Sequence, residues 1–367
     1  MAPETGAGVD TGTTSATPNE TSIENPTDAP VDAPIGTPIG PPVLSQRVLI
    51  VGIGTPDSNL ILQVLNFDRQ PEIIANSQLF SGSFGAIYRK VILTRPELWT
   101  EDDRRRAQVA MRQDIDEAET YTSHAQDEGK VFCASICATW LINPVVLSKA
   151  PVAPARTVTC WEAFKASVPT MYAGNHGFTY NVLNHTVLPD QYLRSWRMVF
   201  IITHPIVLFP YIYRSIHSPY VPQVNHRPTS SMYMTLSWVR MLYSWASLPT
   251  NVATVAPIII DTGDLSIDTD QIVPRLSAEL GLPLDLGVVP FDSLQAFREK
   301  DQLIEQNRTE AVNRLMAQGT SYIDACIQVV KLEWVREFGE FAANMIEQFA
   351  RQAVPDYQYL FERRMKM

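Results

Sequence analysis

The stretch Met198-Val199-Phe200-Ile201-Ile202-Thr203-His204-Pro205-Ile206-Val207-Leu208-Phe209-Pro210-Tyr211-Ile212-Tyr213 decides how the chain is read. Its apolar character suggests a membrane span, but it is too short, and His204, Pro205 and Pro210 interrupt it. The sequence changes type at Thr203-His204-Pro205. The run Met198–Thr203 is a continuous apolar strand. Pro205 cannot continue a central sheet ladder, yet it suits the first turn of a helix. The reading is therefore a buried strand, a polar corner, and a helix.

Three more apolar runs read as buried strands: Arg47–Ile53, Lys130–Ala134 and Pro257–Asp261, with a weaker one at Glu72–Ala75. Continuous rather than alternating apolar residues imply strands covered on both faces, as in a parallel sheet. Helical stretches lie between them. Residues 101–129 open at Thr100 with Glu101, Asp102 and Asp103, acids suited to a helix N-terminus. Residues 229–247 carry aromatic and aliphatic side chains at mixed three and four spacing, for a core or a dimer surface. Residues 268–280 stop at Gly281, and a long amphipathic candidate over 320–352 stops before Pro355. Alternating strands and helices give an α/β class, a doubly wound and mainly parallel sheet flanked by helices, with a helical C-terminal third.

Charge divides the 367-residue chain unevenly. Six of the 39 acids and eight of the 27 prolines lie in residues 1–46, which hold no Lys or Arg. The remaining 33 acids face 29 bases, so residues 47–367 carry −4 of the −10 total. Residues 1–44 read as a disordered, acidic, Pro/Thr-rich tail, and 45–367 as one domain. The tail has neither the basic and apolar regions of a secretory signal nor the arginines of a transit peptide, so the expectation is cytoplasmic. The weak acidity argues against a nucleic-acid partner. Four cysteines without metal spacing make neither a disulfide framework nor a metal site; Cys133 and Cys137 read as buried small apolar residues.

In open parallel sheets, ligands bind beyond the carboxyl ends of the strands, so candidate residues follow each strand. After the first comes Gly52-Ile53-Gly54-Thr55-Pro56-Asp57-Ser58-Asn59 and then an apolar helix. A glycine turn entering a helix suits an anion, but this loop lacks the Lys of a Walker loop, and Asp57 stands where a dinucleotide fingerprint requires Gly. It reads as a plain strand–turn–helix junction, an anion site, or a pocket using Asp57 itself. His204 follows the third strand, as a local cap or a site residue. Asp261-Thr262-Gly263-Asp264 follows the fourth, as a site or as a turn in which Asp264 or Asp268 caps the next helix. The polar segment Tyr172–Asp190, with His176 and His185, has the composition of a substrate loop or lid.

These strand-end motifs, in this order, resemble the fungal branch of the sulfotransferase-like P-loop family. That family reads as a strand with G-x-P-R-[ST]-G-[ST]-[ST], then a strand ending R-[HD]-P with a helix A-L-V-F-P-S-L-Y-R. The counterparts are Val48–Asn59 and Ile202–Arg214, joined by Thr186–Asp190, Ile259–Leu265, Glu279–Leu282 and Val354–Leu360; the resemblance covers roughly residues 47–362. It implies the doubly wound fold and, in ordinary members, binding of the cofactor PAPS. Departures fall on the functional positions. The first-loop Arg is Thr55 and its Gly is Asp57. The second-motif Arg is Thr203, and the Ser eight residues on is Tyr211. The family's Lys-Glu-His corresponds to Ala134-Ser135-Ile136. Losing two or three hydrogen bonds to charged groups costs roughly 3–9 kcal/mol, and losing a general base costs about 10²–10⁴-fold in rate.

The resemblance therefore implies a degenerate branch like the pyrone-forming polyketide cyclases of the aurovertin-pathway type. Such an enzyme uses no cofactor and no metal. Its substrate is a small polyketide, free or carrier-bound, with a possible polyketide synthase contact and neither nucleic acid nor membrane. Closing an α-pyrone requires a base for an enol proton and donors for the developing oxyanion. His204 is the first candidate base, Asp261 its orienting carboxylate, and His176 or Asp57 the second acid or base. The alternatives are a PAPS-dependent sulfotransferase with an altered site, and a non-catalytic accessory protein of a synthase.

Overall fold

A computed structural model of the chain describes residues 47–53, 62, 64–148, 162–173, 177–217, 226–249, 256–286, 289, 310–319 and 321–366. Within it the five apolar runs are five parallel strands: β1 (Arg47–Gly52), β2 (Ile73–Asn76), β3 (Val131–Cys137), β4 (Arg197–Ile202) and β5 (Ile258–Asp261). Their order across the sheet is β2-β3-β1-β4-β5. Every residue of β1, β3 and β5 is buried, which explains the unbroken apolar runs. β3 extends to Cys137, three residues beyond the run read from sequence, so Cys133 and Cys137 are both buried strand residues. The tail assigned to 1–44 lies outside the described residues.

The helices are α1 (Ser81–Leu93), α2 (Glu101–Asp127), α3 (Ala138–Leu141), α4 (Pro144–Leu147), α5 (Asp190–Arg194), α6 (Pro205–Ile216), α7 (His226–Tyr233), α8 (Ser237–Ala246), α9 (Thr262–Ile267), α10 (Thr269–Leu280), α11 (310–317), α12 (Tyr322–Phe338) and α13 (Glu340–Phe361). One face of the sheet carries Leu49, Val51, Phe132, Ala134, Ile136, Phe200, Ile202 and Ile259, packed under α1, α2, α6, α8 and α13. The opposite face carries Val48, Ile50, Val131, Cys133, Val199, Ile201, Ile258 and Ile260, packed under α10. The architecture is therefore doubly wound α/β with a helical C-terminal region.

Local sequence accounts for the helix ends. Thr100 accepts the Asp103 amide at 3.2 Å while the Asp103 carboxylate accepts the Thr100 amide at 3.0 Å, a reciprocal cap that starts α2. Gly281 ends α10 with φ 59°, a left-handed corner that glycine takes without steric cost.

Three helical expectations are corrected. The stretch 229–247 is two helices, α7 and α8, and α8 buries Trp238, Leu242, Tyr243 and Trp245 in the core rather than on a dimer surface. The stretch 320–352 is also two helices, broken at Gly339, where φ is 84°. Pro355 does not stop α13, which runs through it to Phe361. An internal proline costs about 3 kcal/mol, but α13 buries Ile346, Phe349, Ala350, Ala353, Tyr357 and Leu360 on either side of it. That burial, at about 1.5–3 kcal/mol for each large apolar side chain, outweighs the lost backbone bond. The helix α1 has no counterpart in the strand and helix stretches read from sequence.

Beyond α13 the chain crosses the free edge of the sheet. The Met365 amide donates to the Ile259 carbonyl at 2.9 Å, extending β5 by one backbone bond and covering that edge. No helix among the described residues is long and apolar enough to cross a membrane.

Candidate active site at the carboxyl edge of the sheet

The strand order fixes where a ligand can enter. The chain leaves β1 toward the β2 side of the sheet and leaves β4 toward β5. Connections diverging from neighbouring strands open a crevice between their carboxyl ends. Here that crevice lies between β1, followed by Ile53 and the Gly54–Asn59 loop, and β4, followed by Thr203 and His204. The loop with Asp57 lies outside the described residues, and so does His176.

His204 is the N-cap of α6. Its Nδ1 accepts the Ile206 amide at 3.3 Å, and Pro205 occupies the first helical position, as the sequence suggested. Burial lowers the imidazole pKa from 6.5 to about 4, because a low-dielectric setting disfavours the charged ring. The neutral ring carries one proton. With the Nδ1 lone pair directed at an amide, that proton sits on Nε2. His204 therefore presents an N–H donor, and the general-base role read from sequence requires the other tautomer.

Asp261, the last residue of β5, is the register partner of Ile202. Its carboxylate accepts the Gly263 amide at 2.8 Å and caps α9. Of the two caps the sequence offered, Asp268 stands at the N-cap position of α10 without a side-chain cap bond, and Asp264 lies in the first turn of α9. A Cβ on Gly263 would lie 2.8 Å from Asp261 Oδ1, so only glycine lets the carboxylate approach this closely. Burial raises the Asp261 pKa, while the Tyr357 hydroxyl and the backbone amides oppose the rise.

The expected pairing of Asp261 with His204 is replaced by an intermediary. Tyr357 of α13 donates its hydroxyl to Asp261 Oδ2 at 2.9 Å, and its ring meets the His204 ring edge-on with centroids 4.7 Å apart. The strand ends are adjacent, as expected, but a helix from the far end of the chain fills the gap between the two side chains. Beside them the Thr203 and Thr262 hydroxyls are 2.8 Å apart, and Arg364 pairs with Asp264 at 2.5 Å. Tyr357 was not singled out as a site residue. It falls within Val354–Leu360, a stretch that carried the resemblance, and that was the available signal.

Residues 177–190, part of the stretch with a loop or lid composition, are held by buried hydrogen bonds. Asn184 is fully buried, and its amide donates to the Leu188 carbonyl at 2.9 Å and to Asp190 at 2.8 Å. Asp190 also accepts the Trp245 indole at 2.9 Å and the Asn181 amide at 2.7 Å.

No protein-family model matches the chain. It is similar to two fungal proteins, each named Sulfotransferase ppzF. It is 26% identical to the one from Metarhizium majus (strain ARSEF 297) over 333 residues, which cover 84% of this chain and 94% of that protein. It is 26% identical to the one from Metarhizium rileyi (strain RCEF 4871) over 343 residues, covering 87% and 96%. The parallel sheet with its helical C-terminal region is consistent with a sulfotransferase-like fold.

Proposed function

We propose that this sulfotransferase-like chain is a nucleotide-independent enzyme of fungal secondary metabolism that closes an α-pyrone on a polyketide. The observation that carries the reading is the state of His204. At the β1–β4 crevice it offers a neutral Nε2–H donor rather than a cation. A neutral imidazole polarises a carbonyl without needing a counter-charge.

The described groups at the β4–β5 edge do not fit a phosphorylated nucleotide. They are the hydroxyls of Thr203 and Thr262, the neutral His204, and the carboxylates of Asp261 and Asp264, the latter paired with Arg364. A phosphate set there meets carboxylate charge and a guanidinium already engaged, where phosphate sites use cations or clustered backbone amides.

In the proposed reaction an enol oxygen of a β,δ-dioxo thioester attacks the thioester carbonyl. The tetrahedral oxyanion collapses, the C–S bond breaks, and the enol proton is delivered to the leaving thiolate. The products are a pyrone and a thiol. His204 Nε2–H donates to the developing oxyanion, and Tyr357, held by Asp261, fixes the ring that donates. Asp57 and His176 are the candidates for the proton transfer.

Removing one oxyanion donor costs about 10²–10³ in kcat. The expected result is a loss of that size in the H204A protein with a diketo thioester surrogate, and unchanged pyrone formation removes His204 from the chemistry. The second reading, sulfuryl transfer from PAPS, is favoured by the printed name of both relatives. Calorimetry with adenosine 3′,5′-bisphosphate separates the two: micromolar binding supports sulfuryl transfer, and no heat supports the nucleotide-independent enzyme.

A further inference from the structure

The last turns of α13 bring one more group to the His204 corner. Tyr357, Phe361 and Arg364 are spaced by four and three residues, which puts them on one side of the helix. The helical turn continues past Phe361, since the Arg364 amide donates to the Phe361 carbonyl at 3.3 Å and Nη1 of its guanidinium donates to the same carbonyl at 2.9 Å. The guanidinium lies 3.4 Å from the centre of the Phe361 ring. That ring lies 5.3 Å from the Tyr357 ring, with the planes at 31°. Tyr357 in turn meets His204 edge-on and holds Asp261. The row closes on itself, because Nε of Arg364 pairs with Asp264 in the first turn of α9, the helix that Asp261 caps. The C-terminal end of α13 therefore grips the start of α9 at two points, through Tyr357 and through Arg364, with the Phe361 ring between them. The next residue fixes the backbone there: the Met365 amide is bound to Ile259, and its side chain packs on the apolar face under α10.

His204 needs such support. Its cap bond of 3.3 Å is longer than the usual value of about 2.9–3.0 Å. The terminal torsion of an imidazole sits in broad, roughly two-fold wells, so one long bond sets the ring loosely. The other contact on the ring among the described residues is the edge of Tyr357, and Tyr357 is only as fixed as the groups that hold it. We propose that Arg364, acting through Phe361 and Tyr357, is a positioning residue for His204. This rests on the donor role given to His204 in the proposed reaction and deepens it, by naming what keeps the donor in place. A planar guanidinium suits the task because it stacks on a ring and pairs with a carboxylate at once, which a lysine ammonium does not do.

The test uses the full chain, the variants R364Q and D264A, and R363Q as the control. Arg363 carries the same charge one residue earlier, but it lies over Tyr359 instead. The first measurement is an NMR titration of the His204 ring, whose pKa burial holds at about 4. The charged and titratable groups at this corner are Asp261, Asp264, Tyr357 and Arg364. If the row seats Tyr357 on His204, cutting it at either end admits water, and R364Q and D264A should both raise the proton affinity of the ring about tenfold. R363Q should leave it unchanged. Charge alone gives opposite signs, since removing the cation raises the affinity and removing the carboxylate lowers it. A fall or no change in D264A, or an equal rise in R363Q, overturns the proposal. R364K, which keeps the charge and loses the flat stack, replaces a variant that does not fold: the same rise is expected, and an unchanged ring overturns the proposal. The second measurement is pyrone formation from the diketo thioester surrogate. R364Q should lower kcat about tenfold with KM unchanged, and an unchanged kcat in an active protein separates Arg364 from the chemistry and overturns its role. If the wild-type protein forms no pyrone, the cyclase reading fails, and the titration still decides whether Arg364 positions the ring.

Discussion

The two ends of the sheet handle a buried polar side chain in opposite ways. At the amino end, Arg47 opens β1 and is 1% exposed. Its guanidinium pairs with Glu119 at 2.8 Å, donates to the hydroxyls of Thr122 and Ser195, and lies over the rings of Tyr172, Tyr192 and Trp196 at 5.0, 5.0 and 4.4 Å. Glu119 is held in turn by the hydroxyls of Tyr172 at 2.7 Å and Tyr192 at 2.9 Å. Only Nε of the guanidinium has no partner. At the carboxyl end, His204 spends Nδ1 on a helix cap and sets its ring edge-on to Tyr357. A charge enclosed by its partners, with its one unpartnered nitrogen buried, serves the fold, because no ligand in solvent reaches it. A neutral ring with one committed nitrogen retains a donor for one.

The largest expected effect breaks the amino end. Removing one partner of a buried ion pair costs about 3–5 kcal/mol, so R47A should lower urea-unfolding stability by that amount. Because the defect is about six residues away from the carboxyl edge along β1, the His204 ring resonances of the folded protein should stay where they are. Movement of those resonances would mean the two ends are coupled and the contrast between them false.

The next effect is a pH dependence assigned to the carboxyl end. The His204 pKa is lower in the folded chain, about 4, than its unfolded value of 6.5. Between those values the unfolded chain binds the extra proton, so the stability contributed above pH 6.5 is lost as pH falls toward 4. The loss is roughly 2–4 kcal/mol. H204N keeps a good helix cap and should reduce the stability lost between pH 6.5 and 4 by that amount; parallel pH profiles would show that the ring is not buried neutral.

Y357F sharpens the link between Asp261 and His204. It keeps the ring against His204 and deletes the hydroxyl bond to Asp261, for about 1.5–3 kcal/mol. That bond stabilises the ionised carboxylate, so the destabilisation should be larger at pH 7 than at pH 4, measured by chemical denaturation at both. The smallest effect is a control distant from both ends. T100A breaks the reciprocal cap of α2 and should cost about 1 kcal/mol without altering ligand binding.

How much was legible follows from the range of each interaction. The continuous apolar runs identified the strands buried on both faces and with them the sheet class, and β2, whose two middle residues are only half-buried, gave the weaker run for that reason. Caps such as Thr100 with Asp103 were legible because their partners lie three residues apart. The placement of His204 at a strand end, before a proline-led helix, was legible for the same reason. What escaped were contacts that join distant segments. Nothing near Asp261 announces Tyr357, 96 residues later, and nothing near Tyr88 announces Tyr233, whose ring it meets. The helix continuing through Pro355 was misread because local propensity opposes it and only long-range packing supports it. Which ring nitrogen of His204 an amide has taken was not legible either, because a residue name does not carry that.

By itself, then, the sequence determined the parallel α/β sheet, the strand-end corner at Thr203-His204-Pro205 and the shortage of basic residues there. These depend on side-chain type and on neighbours a few residues away. The tertiary structure alone decided that Tyr357 stands between Asp261 and His204, that burial lowers the His204 pKa, and that Tyr88 meets Tyr233. Those facts depend on which segments the fold brings together and on how much water it removes from between them, and no local stretch of chain encodes either.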